Sequence, residues 1–537
     1  MLTNPLMLAS TMSRHGKLGL FGAAAFCLAL PLSAGCGGSV VQSSGGGGTG
    51  GTTSNGGTTS NGGTTSNGGT TSNGGTTSQG GTTSQGGTTS QGGTTTGGTG
   101  GGGANGPALW VRGYPDLWNP TIKDIATDDT GNVYVVGIVE PHDQNFGGGV
   151  ETCTSSLGCG FLLKLDTDGA EVWHRMFNVG LGHGVLTNSV SVTADGLLIG
   201  IHWQRGFNAV GPLDLGLGPI QPEGYSNMVV ARFDFDGNPV WNQRYGTNPS
   251  SDVYVYPATV ISEGPKDFTV LGGFNSNTAD IGLGLLNHFG SSDVHFIARF
   301  VDGAPVWQHA FNSAGYFQVS DLMKTPDGGY TMTGSLLGDV VGAAFIPSVP
   351  GAESPFIGHY DKDGNPVWGK AFQAAPNGAV EQSGATDSTG ATLMTGHGVG
   401  NIDTNGGPSL VLNQEKSYLI KTDATGQTVL VRQADSFDLD LRTVVYADAD
   451  DNILWAGTIR VQEGMMLYLK GRLTKLAPDG TVQWEVLADN FSTRQIATDA
   501  QGNVYAAGVY MHQIGLDPSI PPAPVNYERA FIAKFAP

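Results

Sequence analysis

The sequence predicts an all-β fold, a seven-bladed β-propeller of four-stranded antiparallel blades. Three observations carry this. A segment reading MVVARFDFDGNPVWNQRY at residues 228–245 returns at 161–177, 296–311 and 356–372, and more weakly at 418–434 and 472–487. Each copy joins two β-rich runs through a Gly-containing turn, most often Asp-Gly, which supplies the positive-φ residue of a tight hairpin. A second hairpin type precedes it: IATDDTGNVYVVG at 125–137 is nearly repeated by IATDAQGNVYAAG at 496–508. A unit recurring about every 60 residues is the period of a propeller.

Residues 1–35 read as a signal peptide. Arg14, His15 and Lys17 precede an apolar run at 18–32 that is too short to span a bilayer. The boundary Leu32-Ser33-Ala34-Gly35-Cys36 resembles a bacterial lipobox, which implies lipidation at Cys36. Gly37 after it resembles Gram-negative lipoproteins sorted to the outer membrane. Residues 36–106 form a Gly/Thr/Ser-rich tether in which GGTTSN occurs four times and GGTTSQ three times. With almost nothing apolar to bury, it is a flexible linker reaching on the order of 45 Å. The expectation is export, surface exposure, and membrane contact through the lipid alone.

Residues 107–537 carry the blades. In the first, strand A lies at 124–128, strand B at 133–139, strand C at 161–165 and strand D at 171–177. The A–B pattern recurs at 192–201, 260–274, 322–335, 385–396, 444–458 and 496–509. Strand C occurs seven times, lastly at 531–535, but strand D follows it only six times. The seventh D is at the front, where ALWVRGY (108–114) matches PVWNQRY (239–245). Trp110/Tyr114, Trp173/Phe177, Trp241/Tyr245, Trp307/Phe311 and Trp368/Phe372 share one spacing. The N-terminal strand is therefore expected to complete the last blade and close the ring, which removes open edges.

The stretches GNVYVVG, FIAKF, DGNPVW and Asp280-Ile-Gly-Leu-Gly284 resemble SBBP-type β-propeller repeats of bacterial surface proteins. The resemblance spans essentially all of the blade region. The fifth and sixth units depart from it: Leu430 replaces Trp, and the sixth has almost no B–C loop. It implies a fold and an exported location, and no specific reaction.

The net charge of −20 and pI near 4.7 exclude a nucleic-acid partner, which needs clustered Lys and Arg. No cofactor or metal is expected. Asp-x-Asp-Gly at 166–169, 234–237 and 361–364 looks like a fragment of a calcium loop but lacks the remaining carboxylates, so tight turns are expected. The GxG triplets near Asp214, Asp280 and Asn145 have no helix behind them to cradle phosphate. Histidines are scattered, without HExxH, and no GxSxG elbow occurs. Position four of strand C is always basic: Lys164, Arg232, Arg299, His359, Lys421, Lys475 and Lys534. The expectation is pairing with acidic residues between blades. Cys153 and Cys159, in an exported chain, are expected to form a disulfide.

Topology selects one face. A–B and C–D turns are short and share one end of each blade, whereas long B–C loops and D–A connections share the other. Trp118, His202, Trp203, Arg205 and Tyr225 fall on this loop face as candidate ligand-binding residues. An aromatic there either stacks on a ligand or covers the base of a loop. The reading is a binding module for a glycan or protein ligand. The alternatives are an extracytoplasmic hydrolase or lyase using carboxylates or His on that face, and a spacer with no discrete ligand.

Overall fold

The computed structural model describes residues 108–537 except 207–210, 247–254, 289–292, 314, 377, 405, 435–441, 464–465 and 525–526, with backbone alone in the remainder of 460–469. Cys36, the expected signal peptide at 1–35 and the expected tether at 36–106 lie outside the described residues. Among the described residues there are strands and turns and no helix.

Seven antiparallel blades follow one another. The first contains Thr121–Thr127, Val133–Val139, Cys159–Leu165 and Glu171–Phe177, from the axis outward. The last contains Phe491–Thr498, Val504–Tyr510, Arg529–Phe535 and, outermost, the N-terminal strand Ala108–Tyr114. That strand pairs Trp110 with Lys534 and Tyr114 with Ala530. First strands of successive blades touch all the way round, the seventh meeting the first. The ring is closed.

Seven apolar clusters occupy the seven junctions between neighbouring blades. Middle strands are therefore buried on both faces, which explains runs such as VYVVGIV, rich in β-branched residues. Outermost strands alternate, and their Trp residues lock blade to blade. Trp110 lies against Gly169 of the next blade, Trp173 against Gly237, Trp241 against Gly303, Trp307 against Gly364 and Trp368 against Gly426. Leu430 meets Gly480 in the same way. A Cβ built on these glycines would come within 2.6–3.2 Å of the docked side chain, and their φ values lie between 77° and 86°. Glycine is required on both counts.

The Asp-containing turns are engaged internally. Asp234 Oδ1 accepts from Asp236 N at 3.0 Å and Asn238 N at 2.7 Å, and Asp361, Asp387 and Asp499 repeat the pattern. Asp214 and Asp280 likewise accept from the glycines of their GxG triplets. These are turn caps.

One expectation is corrected. The strand-C cations pair mostly within their own blade, with the acid of the A–B turn beside them. Lys421 meets Asp387 at 2.9 Å, Lys475 meets Asp448 at 3.0 Å, Arg299 meets Glu263 at 2.8 Å and His359 meets Asp327 at 3.3 Å. Arg232 bonds Asp195, and Lys534 lies 3.6 Å from Asp499. Strand A and strand C are both neighbours of strand B, so the A–B turn is the nearest acid. Contacts across to the next blade go to carbonyls: Lys164 to Phe235 O at 2.9 Å, Arg232 to Pro265 O at 3.4 Å and Lys534 to Thr167 O at 3.4 Å.

Candidate functional site: the loop face

Loop length is unequal around the ring. Blades seven, one, two and three, which are consecutive, carry B–C connections at 511–528, 140–158, 206–225 and 275–293. Those of blades four, five and six are shorter, at 339–348, 403–409 and 464–465. One half of the loop face is thus elaborated.

The first blade's loop lies between its two neighbours' loops. It folds as a small ribbon, Asp143–Asn145 against Val150–Thr152, and is closed by the Cys153–Cys159 disulfide, with Cα atoms 5.9 Å apart. On one side it meets the closure seam. There the Trp118 ring stacks on His142 at 4.4 Å and meets Tyr527 edge-on at 5.2 Å. The Arg529 guanidinium lies 4.9 Å from the same indole. Arg529 is buried, and its Nε donates to the Pro115 carbonyl at 2.6 Å. Trp118 N donates to buried Gln144 Oε1 at 2.8 Å, which fixes the backbone under the ring. Trp118 is half-buried, His142 exposed and Tyr527 43% exposed. Asn119 and Glu140 sit beside the stack, joined at 2.7 Å.

On its other side the loop packs against the 178–182 connection. Asn178 Oδ1 accepts from Thr154 N at 3.2 Å and Thr154 Oγ1 at 2.9 Å, and Asn178 Nδ2 donates to Thr152 O at 2.7 Å. Val179 N donates to Ser155 Oγ at 3.0 Å. This framework leaves Leu157 47% and Leu181 81% exposed. Half-buried Arg205 and Tyr225 belong to the neighbouring second blade, where Arg205 N donates to the Tyr225 carbonyl at 2.7 Å.

The five sequence candidates therefore separate. Trp118 is in the seam stack, and Arg205 and Tyr225 are at the loop-face end of blade two. His202 and Trp203 are corrected: both are buried in that blade. Trp203 is 0% exposed and stacks on His183 at 6.2 Å. His202 bonds Ser226, and burial, with Lys123 adding to it, pushes its imidazole down to about 3, so it stays neutral. Both cover the base of a loop. Sequence reasoning missed His142, Tyr527, Leu157 and Leu181. Tyr527 was reachable from the closure argument, which places the seventh blade's loop beside the first.

Two other features carry charge. The axial mouth on the opposite, short-turn face is a depression of about 540 Å³ touched by Asp128, Asp448 and Asp499, whose carboxylates cap their own turns. Glu353, at the loop-face end of blade four, is pushed up to about 7 by burial. Among the described residues no group of three or more His, Cys, Asp or Glu is placed to hold a metal.

No protein-family model matches the chain, and no curated protein sequence does. Solved structures similar to it include a europium-containing methanol dehydrogenase, 10% identical over 80% of this chain and 93% of that one, with TM-score 0.35. Another is the Dos1 propeller, 8% identical over 78% and 95%, with TM-score 0.37. A third is the β-propeller domain of the Trilobed protease from Pyrococcus furiosus, 9% identical over 78% and 94%, with TM-score 0.39.

Proposed function

We propose that this chain is an SBBP-type, lipid-anchored bacterial surface protein whose propeller binds a glycan or protein ligand on the loop face. The observation that carries the binding reading is the Trp118–His142–Tyr527 stack, an aromatic cluster with two exposed rings on a rigid base. Aromatic rings lose little conformational entropy on contact and offer apolar faces to sugars or side chains. Asn119 and Glu140 add hydrogen-bonding groups at its edge. Orientation supports it too. Strand D of blade seven begins at Ala108 on the short-turn side, so the described chain starts opposite the long loops.

The test is a glycan array and a pull-down with the exported protein and its His142→Ala/Tyr527→Ala variant. Loss of a captured ligand in the variant, with an unchanged far-UV spectrum, supports the reading. Equal capture by both proteins removes the stack from it. The hydrolase or lyase reading is favoured by Glu353, whose burial places it in the range of a general acid. Release of shortened glycans by the parent and none by Glu353→Gln would select that reading.

A further inference from the structure

The seven junctions between blades are not made alike. At five of them a strand-D tryptophan lies on the C–D turn glycine of the next blade, and at a sixth Trp484 stacks on Phe535 at 6.3 Å. Between blades five and six the docked residue is Leu430, on Gly480. The polar half of the contact is kept there. Arg432 donates to the Gly480 carbonyl, as Arg112 does to Gly169 O at 2.8 Å and Lys370 to Gly426 O at 2.7 Å. Gly480 also has the left-handed backbone of the other turn glycines, with φ 86°. The turn is the same and the ring is missing.

A second difference falls at the same place. In five blades the B–C connection sends a buried apolar side chain into the junction with the blade before it: Phe146, Leu215, Ile281, Ile346 and Ile514. Blade six joins strands B and C through residues 464–465, a connection too short to reach back. A third lies on the innermost strands, where one strand-A amide donates to a strand-A side chain of the preceding blade. Val190 N reaches Asp124 Oδ2 at 2.9 Å, Val260 N reaches Ser189 Oγ at 3.1 Å and Gly384 N reaches Asp321 Oδ2 at 2.8 Å. The equivalent Val445 N reaches Ser383 Oγ of blade five at 3.4 Å.

The contacts that join blades five and six are largely polar. Thr443 N donates to Gln382 Oε1 at 2.7 Å, Ser388 N to Asp451 Oδ1 at 2.7 Å, and Trp455 Nε1 to Thr395 Oγ1 at 2.8 Å. When two blades part, such groups exchange their bonds for bonds to water, whereas exposed apolar area has no compensation. We infer that the ring has a built-in opening point between blades five and six, and not at the closure where its two chain ends meet. Opening there separates two blades and leaves each four-stranded sheet intact, a sub-global motion of the kind that local stability differences produce. Blades seven, one, two and three, which carry the long loops, stay joined, and the axial channel widens from the far side of the ring.

Hydrogen exchange of the exported protein, resolved by residue and corrected for intrinsic rates, tests this. Among the described residues the four strand-A amides bond across their junctions, so each reports the opening of its own junction. Val445 N should exchange about tenfold faster than Val190 N, Val260 N and Gly384 N. Leu430→Trp supplies the missing ring and should slow Val445 N about tenfold while leaving Val190 N unchanged. Trp368→Leu, which copies the Leu430 contact at the junction of blades four and five, should speed Gly384 N toward the rate of Val445 N. Equal rates for the four amides in the parent protein, or a Val445 N rate that Leu430→Trp does not change, overturns the inference.

Discussion

Replacing the docked tryptophans by phenylalanine separates what the indole N–H contributes from what the ring contributes. At Trp110 the N–H donates to Thr167 O at 3.0 Å, between blades seven and one. Phenylalanine keeps most of the contact with Gly169 and Tyr505 but removes that bond. The Thr167 carbonyl keeps Lys534 Nζ at 3.4 Å, so it is not stranded. The expected loss is the net value of one hydrogen bond, about 1 kcal/mol, plus a few tenths for the smaller ring. Trp307 makes the same ring contact, on Gly364, but its Nε1 is buried without a partner among the described residues. An unsatisfied buried donor costs about 1–3 kcal/mol. Removing it offsets the lost ring area, so Trp307→Phe should be neutral or stabilising by about 1 kcal/mol. Urea unfolding followed by far-UV circular dichroism measures both, with equal transition slopes as the condition for comparison. If the two variants lose the same stability, the N–H contributes nothing and blade locking is ring packing alone.

Three further outcomes are expected. Burial pushes Asp124 up to about 7, against hydrogen bonds from Val190 and Ile125, and pushes Glu353 up to about 7. Both bind a proton more tightly folded than unfolded, so their stabilisation is present near pH 4 and is lost as pH rises through about 7. Asp387 and Asp448 act oppositely: burial raises them, but hydrogen bonds from Thr389, Asn452 and the paired lysines outweigh it and hold them low. The thermal midpoint should fall from pH 5 to pH 8, less steeply in Glu353→Gln; a rise over that interval would contradict the assignment. Metabolic labelling with a fatty-acid probe should mark the protein, and Cys36→Ala should abolish the label; label retained in that variant rules out the site. Intact mass before and after reduction and alkylation should show the Cys153–Cys159 bridge, and two free thiols in the exported protein would refute it.

The fold was legible because its units are short and repeated. Asp-Gly turns, strand runs and the Trp spacing each have a local cause, and ALWVRGY at the front matched PVWNQRY closely enough to close the ring. The partners of side chains were less legible. The strand-C cations were expected to bridge blades, yet the A–B turn acid two strands away is nearer, a distance that depends on strand stagger. Trp203 and Trp118 read alike as aromatics near loops. One faces the packed side of its strand and the other sits in a connection, and a register difference of one residue reverses which way a strand side chain points. The stack itself joins Trp118, His142 and Tyr527 from three separate segments, and no local spacing encodes such a meeting.

The uneven loops give the binding reading its sharpest consequence. Blade five joins strands B and C through residues 403–409, whereas blade one uses 140–158, a loop held by a disulfide and by hydrogen bonds through Asn178. A rigid loop loses less entropy when a ligand docks, so the same contacts bind more tightly. Breaking the bridge with Cys153→Ser/Cys159→Ser should cost stability of a few kcal/mol at most, because the closed loop is short. It should nevertheless weaken ligand capture several-fold, because Leu157 lies inside the closed loop and Cys153 N donates to the His142 carbonyl at 2.9 Å. Trimming residues 403–409 to a tight turn should leave capture unchanged, since blade five lies away from the seam. If the blade-five change abolishes capture while the serine pair does not, the ligand sits on the other half of the face, and the Trp118 stack only covers the closure.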